Sequence, residues 1–197
     1  MAYEIGDIII FKGTPTHVGM VAASDPDGDV WYIHATFKGD FHFTQNQTTT
    51  KDPTGKEKTD WKIGYHDSVF RPPWETHPQF DKKTKQSELN RVARDISNYA
   101  SYGGCRAIRL YLGSSTFGED ARARLTKYKD RRLEGFLLNK FVSNITCAEA
   151  VILCYQMTFD EGAYPFFINL DAAHAMPKTL MAWLANSGWE KIQGPGT

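Results

Sequence analysis

Cys147 stands at the head of an apolar helical pattern, and His17 and His34 sit on two neighbouring strand patterns near the other end of the chain. A thiol, an imidazole to take its proton and a second imidazole to orient the first are the parts of a nucleophilic catalyst. Thr146 followed by Glu149 has capping-box spacing, and the apolar run 150–153 continues from it. Thr146 is then the N-cap and Cys147 the first helical residue. There, unpaired backbone N–H groups and the positive end of the helix dipole favour a thiolate. Cysteines so placed can ionise well below the free value of about 8.5. Taken alone, Cys147 reads equally as a small buried hydrophobe, the commoner fate of a free cysteine.

The histidines give the thiol its company. Residues 17–24 and 29–36 are rich in Val, Ile, Trp and Tyr and read as two strands. Between them, Asp25-Pro26-Asp27-Gly28 has the Pro and Gly placement of a type I turn. If Ser24 lies opposite Asp29, His17 lies opposite Thr36, and His34 falls two residues along on the same face. Such diagonal neighbours are about 7–8 Å apart at Cα, within reach of two imidazole rings. A slip of one residue would send the rings to opposite faces, so the pairing depends on the turn.

Gly6-Asp7-Ile8-Ile9-Ile10-Phe11, then His17-Val18-Gly19-Met20-Val21, then Ile33-His34-Ala35, resembles the histidine half of the NlpC/P60 papain-like hydrolases. In typical members the cysteine segment precedes that half; here Thr146-Cys147-Ala148-Glu149-Ala150-Val151 follows it. The chain therefore resembles a circularly permuted NlpC/P60 protein, similar to the YiiX and lecithin:retinol acyltransferase branches. Ala148 stands where a serine is usual. The resemblance implies an antiparallel sheet packed on a helix with the nucleophile at its N-terminus. It also implies Cys147 as nucleophile, His17 as base and His34 as the polar third residue. Substrates would be a peptide, a peptidoglycan fragment or an acyl lipid. The motifs span about a quarter of the chain, and the resemblance does not extend to 38–140.

Composition sets the outer bounds. A chain of 197 residues suits a single domain, 1–197, with an insertion within about 38–140. Lys plus Arg and Asp plus Glu are 23 each, and no basic face or recognition motif points to nucleic acid. No run of 18 apolar residues suggests a transmembrane helix. The segment 1–6 lacks the basic and apolar regions of a signal peptide, so a cytoplasmic protein, or one exported by another route, is expected. Three cysteines without CxxC spacing point to neither a disulfide framework nor a zinc site. No cofactor is expected, and the oligomeric state stays open.

Strand patterns come first and helical ones later, which predicts an α+β fold. Strands are expected over 7–11, 17–24, 29–36, 61–70 and near 189–192. Polar, turn-rich 45–60 reads as an exposed hairpin tip or loop. Helices are expected over 86–101, 119–139, 147–158 and 178–187. The run Lys127 to Arg132 reads as a solvated helix face. Cys154, two turns beyond Cys147, reads as core, and Cys105 as structural. His174 reads as a capping or surface residue, and His42, His66 and His77 as surface or loop residues. Three functions are compatible: an amide or ester hydrolase, a lipid or protein acyltransferase with the same Cys-His-His set, and a catalytically silent ligand-binding module.

Overall fold

A computed structural model of the protein describes residues 2–13, 16–24, 30–35, 41–45, 50–51, 57–58, 63–102, 114–133 and 142–194. Its strands are β1 (Ile8–Phe11), β2 (His17–Ser24), β3 (Val30–Ala35), β4 (Phe41–Gln45), β5 (Thr50–Lys51), β6 (Glu57–Lys58), β7 (Ser68–Arg71), β8 (Ala100–Tyr102), β9 (Val142–Ile145) and β10 (Glu190–Gln193). Its helices are α1 (Lys82–Tyr99), α2 (Glu119–Leu133), α3 (Cys147–Thr158) and α4 (Pro177–Asn186). The architecture is α+β.

Six strands form one antiparallel sheet in the order β10-β7-β1-β2-β3-β4. The continuous apolar run of β1 marks a strand covered on both faces, and all four of its residues are buried. Ile8 and Ile10 join Val18, Met20, Ala22 and Ile33 in the main core, together with residues of α1 and α3. Ile9 and Phe11 join Val21, Val30, Tyr32 and Val69 in a second cluster on the opposite face. α3 is the central helix. Every residue from Cys147 to Gln156 is buried, as expected of a helix that is apolar nearly all round. Its Tyr155 hydroxyl donates to the carbonyl of Gly6. Gly6 has φ of +99°, and a Cβ there would lie 2.9 Å from that hydroxyl, so the chain turns into β1 at a position made for glycine.

The β2–β3 register bears directly on the histidines. Gly19 faces His34 and Met20 faces Ile33, in line with the sequence expectation at that end. At the turn end Ser24 pairs with Val30, not Asp29, because a bulge between Val21 and Ala23 absorbs one residue. The loop 25–29 lies outside the described residues. The shared face of His17 and His34 survives because the slip is confined to the far side of the bulge.

Elsewhere the elements differ from the sequence reading in telling ways. β4 and β9 have no counterpart in it, and the strand expected over 61–70 is confined to Ser68–Arg71, with a turn across 65–66 before it. α1 begins earlier than the apolar spacing suggests, where Asp81 accepts from the Lys83 N–H as N-cap. Within 38–140, β4 and β7 belong to the sheet, and Leu89, Val92, Ala93 and Ile96 of α1 belong to the main core. Those parts are integral to the domain rather than set outside it. Trp61, Cys105 and the region 107–112 lie outside the described residues, as do 134–139 of the long amphipathic segment. Among the described residues, no helix is long and apolar enough to cross a membrane.

Candidate active site

β9 feeds directly into Thr146, whose extended backbone (φ −92°, ψ 170°) opens α3. The capping box is complete. Thr146 Oγ1 accepts from the Glu149 N–H at 3.2 Å, and Glu149 Oε2 accepts from the Thr146 N–H at 3.4 Å. Cys147 is the first helical residue and 8% exposed.

His17 is the first residue of β2, and His34 lies on β3. Their rings meet with His17 Nε2 and His34 Nδ1 3.1 Å apart and an interplanar angle of 79°. Phe11, the cross-strand partner of His17, stacks on its ring at 5.7 Å. Tyr32, two residues before His34, lies 5.3 Å from the His34 ring. Gly19 makes room beneath this cluster: a Cβ there would be 3.1 Å from the Ile33 carbonyl oxygen, 3.2 Å from Phe11 and 3.4 Å from Tyr32.

The histidine rings share the face of Phe11 and Tyr32, whereas α3 packs against the other face. The main-chain N–H of Val18 faces the Cys147 sulfur, as do those of Ala148 and Cys147 itself. Val21 exchanges main-chain hydrogen bonds with Gly6 and Asp7 on the β1 side. Alternation along an antiparallel strand then turns the Val18 N–H to the opposite, β3 side. There the β2–β3 pairing ends at Gly19 and His34. The sulfur therefore sits where the ladder stops, beside the residue that follows His17.

Burial sets the charges. It is the larger of two causes, ahead of the nearby His34, that together lower the His17 pKa to about 3. Burial also pushes the Cys147 thiol up, against the opposing pull of the three N–H groups. The helix-start thiolate expected from position alone is thus overridden by desolvation. At neutral pH the site rests as a neutral thiol and an uncharged His17 ring.

The other candidates fall elsewhere. Cys154 is fully buried deeper in α3. His174 Nδ1 lies 2.8 Å from Asp171 Oδ2, which also accepts from Arg124. His77 Nδ1 lies 3.1 Å from the Pro73 carbonyl, with its ring against Phe166. His66 is exposed beside Tyr65. His42 is the Cα partner of His34 across β3 and β4, a placement that sequence patterning misses because it does not foresee β4. Among the described residues, no cluster of His, Cys, Asp and Glu could hold a metal ion. A surface recess of about 630 Å³ runs along α2 past Arg122 and Asp130, and its described lining includes none of the candidate residues. The sequence motifs contain Phe11 and Gly19 without giving either a role, and they do not mark the Val18 N–H. The signal for Gly19 is present, since a glycine two residues after a strand histidine marks a close approach.

No protein-family model, curated protein or solved structure matches this chain.

Proposed function

We propose that the protein is a thiol enzyme of the permuted NlpC/P60 type. It would cleave an amide or ester through an acyl group carried on Cys147, with His17 as base and His34 as orienting residue. The observation that carries this reading is the 3.1 Å contact between His17 Nε2 and His34 Nδ1 at the end of β2, next to the Val18 N–H that faces the Cys147 sulfur. A core histidine needs no second histidine at that edge; a general base needs an orienting partner.

The chemistry follows from the neutral resting state. In this scheme His17 Nε2–H donates to His34 Nδ1 and the Nδ1 atom of His17 is the one that takes the thiol proton. The Cys147 sulfur attacks the substrate carbonyl as its proton passes to His17. The tetrahedral oxyanion takes N–H donors at the start of α3. The imidazolium then protonates the departing amine or alcohol, the C–N or C–O bond breaks, and a thioester remains. Water or another acceptor resolves it, and that acceptor separates a hydrolase from an acyltransferase. Peptide, peptidoglycan-type and acyl-lipid donors all fit this scheme.

A second reading, a silent ligand-binding module, draws on one observation: Cys147 is only 8% exposed. Intact-mass analysis after incubation with activated acyl esters and peptide amides separates the two. The enzyme reading expects an acyl adduct that maps to Cys147 and vanishes in His17→Ala. Lack of any adduct at Cys147, or an equal adduct on Cys154, would overturn it.

A further inference from the structure

Strand β2 brings more than a histidine to the thiol. Val18 is fully buried, and its side chain belongs to the core under α3. Its main-chain N–H points away from β1, because Val21 three residues on bonds to Gly6 and Asp7 on the β1 side. On the β3 side Met20 pairs with Ile33 and Gly19 with His34, and the pairing goes no further towards His17. Continued by one residue, it would set Val18 against Ala35, a pair that does not form; on its other side Ala35 pairs with Phe41 of β4. The Val18 N–H thus comes to face a sulfur at the place where a sheet would otherwise present a carbonyl.

We propose that the main-chain N–H of Val18 is a catalytic group of this site, donating to the Cys147 sulfur as it becomes a thiolate. This deepens the thiol-enzyme reading and rests on it. The physical reason is the burial of the sulfur. A thiolate formed in a site closed to water must replace its hydration with fixed dipoles, and a hydrogen bond to an ionised acceptor is about twice as strong as a neutral one. The α3 N–H groups belong to the same helix turn as the sulfur and approach it from its own backbone. The Val18 N–H comes from a different element, held in the sheet, and so holds the sulfur against β2, the strand that begins with His17. The arrangement couples the position of the nucleophile to that of its base through one peptide unit. It also assigns a role to the early end of the β2–β3 ladder.

The test exchanges the Val18 amide for an ester, using 2-hydroxyisovaleric acid at position 18, which keeps the side chain and deletes only the N–H. The readout is the pH profile of Cys147 alkylation by iodoacetamide. The expected result is a profile displaced to higher pH, with labelling at neutral pH slowed by about tenfold or more, the size of a lost hydrogen bond to a charged group. The same exchange at Met20, inside the ladder, should lower stability and leave the profile in place. A Val18 ester whose profile matches the wild type would overturn the proposal. A second measurement avoids any folding problem. The Val18 amide resonance should move as Cys147 titrates, and its hydrogen exchange should quicken in Cys147→Ala; an amide indifferent to both refutes the proposal. His17→Ala reports separately on the enzyme reading. If its acyl adduct persists, the assigned base fails, while the hydrogen bond from Val18 is still decided by the alkylation profile and the amide resonance.

Discussion

Gly19 gives the sharpest quantitative test of how the site is packed. In Gly19→Ala the new methyl would sit 3.1 Å from the Ile33 carbonyl oxygen and 3.2 Å from the Phe11 ring. Comfortable contacts fall near 3.5–4.0 Å, so the overlap is a few tenths of an ångström on two sides. The carbonyl is fixed by the sheet, and Phe11 is buried against His17, so neither yields without moving the cluster. Overpacking of this kind costs about 1–3 kcal/mol. Loss of glycine's freedom in the unfolded chain offsets roughly 0.4–1 kcal/mol of that. A net loss of about 1–2 kcal/mol should lower the melting temperature by roughly 2–8 °C in a chain of this size. Gly162→Ala is the control, since nothing lies within 4 Å of a Cβ there; without the overlap it should range from neutral to about 1 kcal/mol more stable. Thermal melts and the rate of acyl-adduct formation on Cys147 should be read together, because Phe11 and Tyr32 flank the two histidine rings. If Gly19→Ala melts with the control and acylates at the wild-type rate, the close packing argued for this cluster is wrong.

Three further outcomes follow from buried charges and caps. His17 is neutral in the folded protein down to pH about 3, whereas the unfolded chain protonates it near the ordinary 6.5. The unfolded state therefore binds the extra proton between those values, and stability should fall as pH drops through that window. Urea titrations at pH 7 and 5 should show the loss, and His17→Ala should reduce it. Arg71 makes two hydrogen bonds to the fully buried Asp7, at 3.0 and 2.7 Å. Arg71→Met should cost about 3–5 kcal/mol by leaving a buried carboxylate without its cation; a loss under 1 kcal/mol on denaturation would contradict that. Thr146→Ala should cost about 1 kcal/mol as a lost N-cap and slow the reaction at Cys147, with Thr146→Ser restoring both. A Thr146→Ala protein with normal kinetics would show that the cap does not position the thiol.

Much of the site could be read from local chemistry. Thr146 and Glu149 announce a helix start by themselves, because a capping box is completed within one turn. His17 and His34 announce a shared face, because strand alternation is a local rule and the intervening turn residues bring the strands together. What the sequence could not hold was the balance of burial against position. The start of α3 favours a thiolate, yet desolvation raises the thiol, and that outcome depends on how completely β2 and the core close over Cys147. Nor could it reveal β4 at one edge of the sheet, or that β7 and β10 extend it beyond β1 at the other, since short strands gain their stability from partners distant in sequence. The early end of the β2–β3 ladder belongs to the same class. Residue types determined which groups are capable of chemistry, whereas long-range packing decided which of them meet, in what charge state, and that a peptide N–H stands among them.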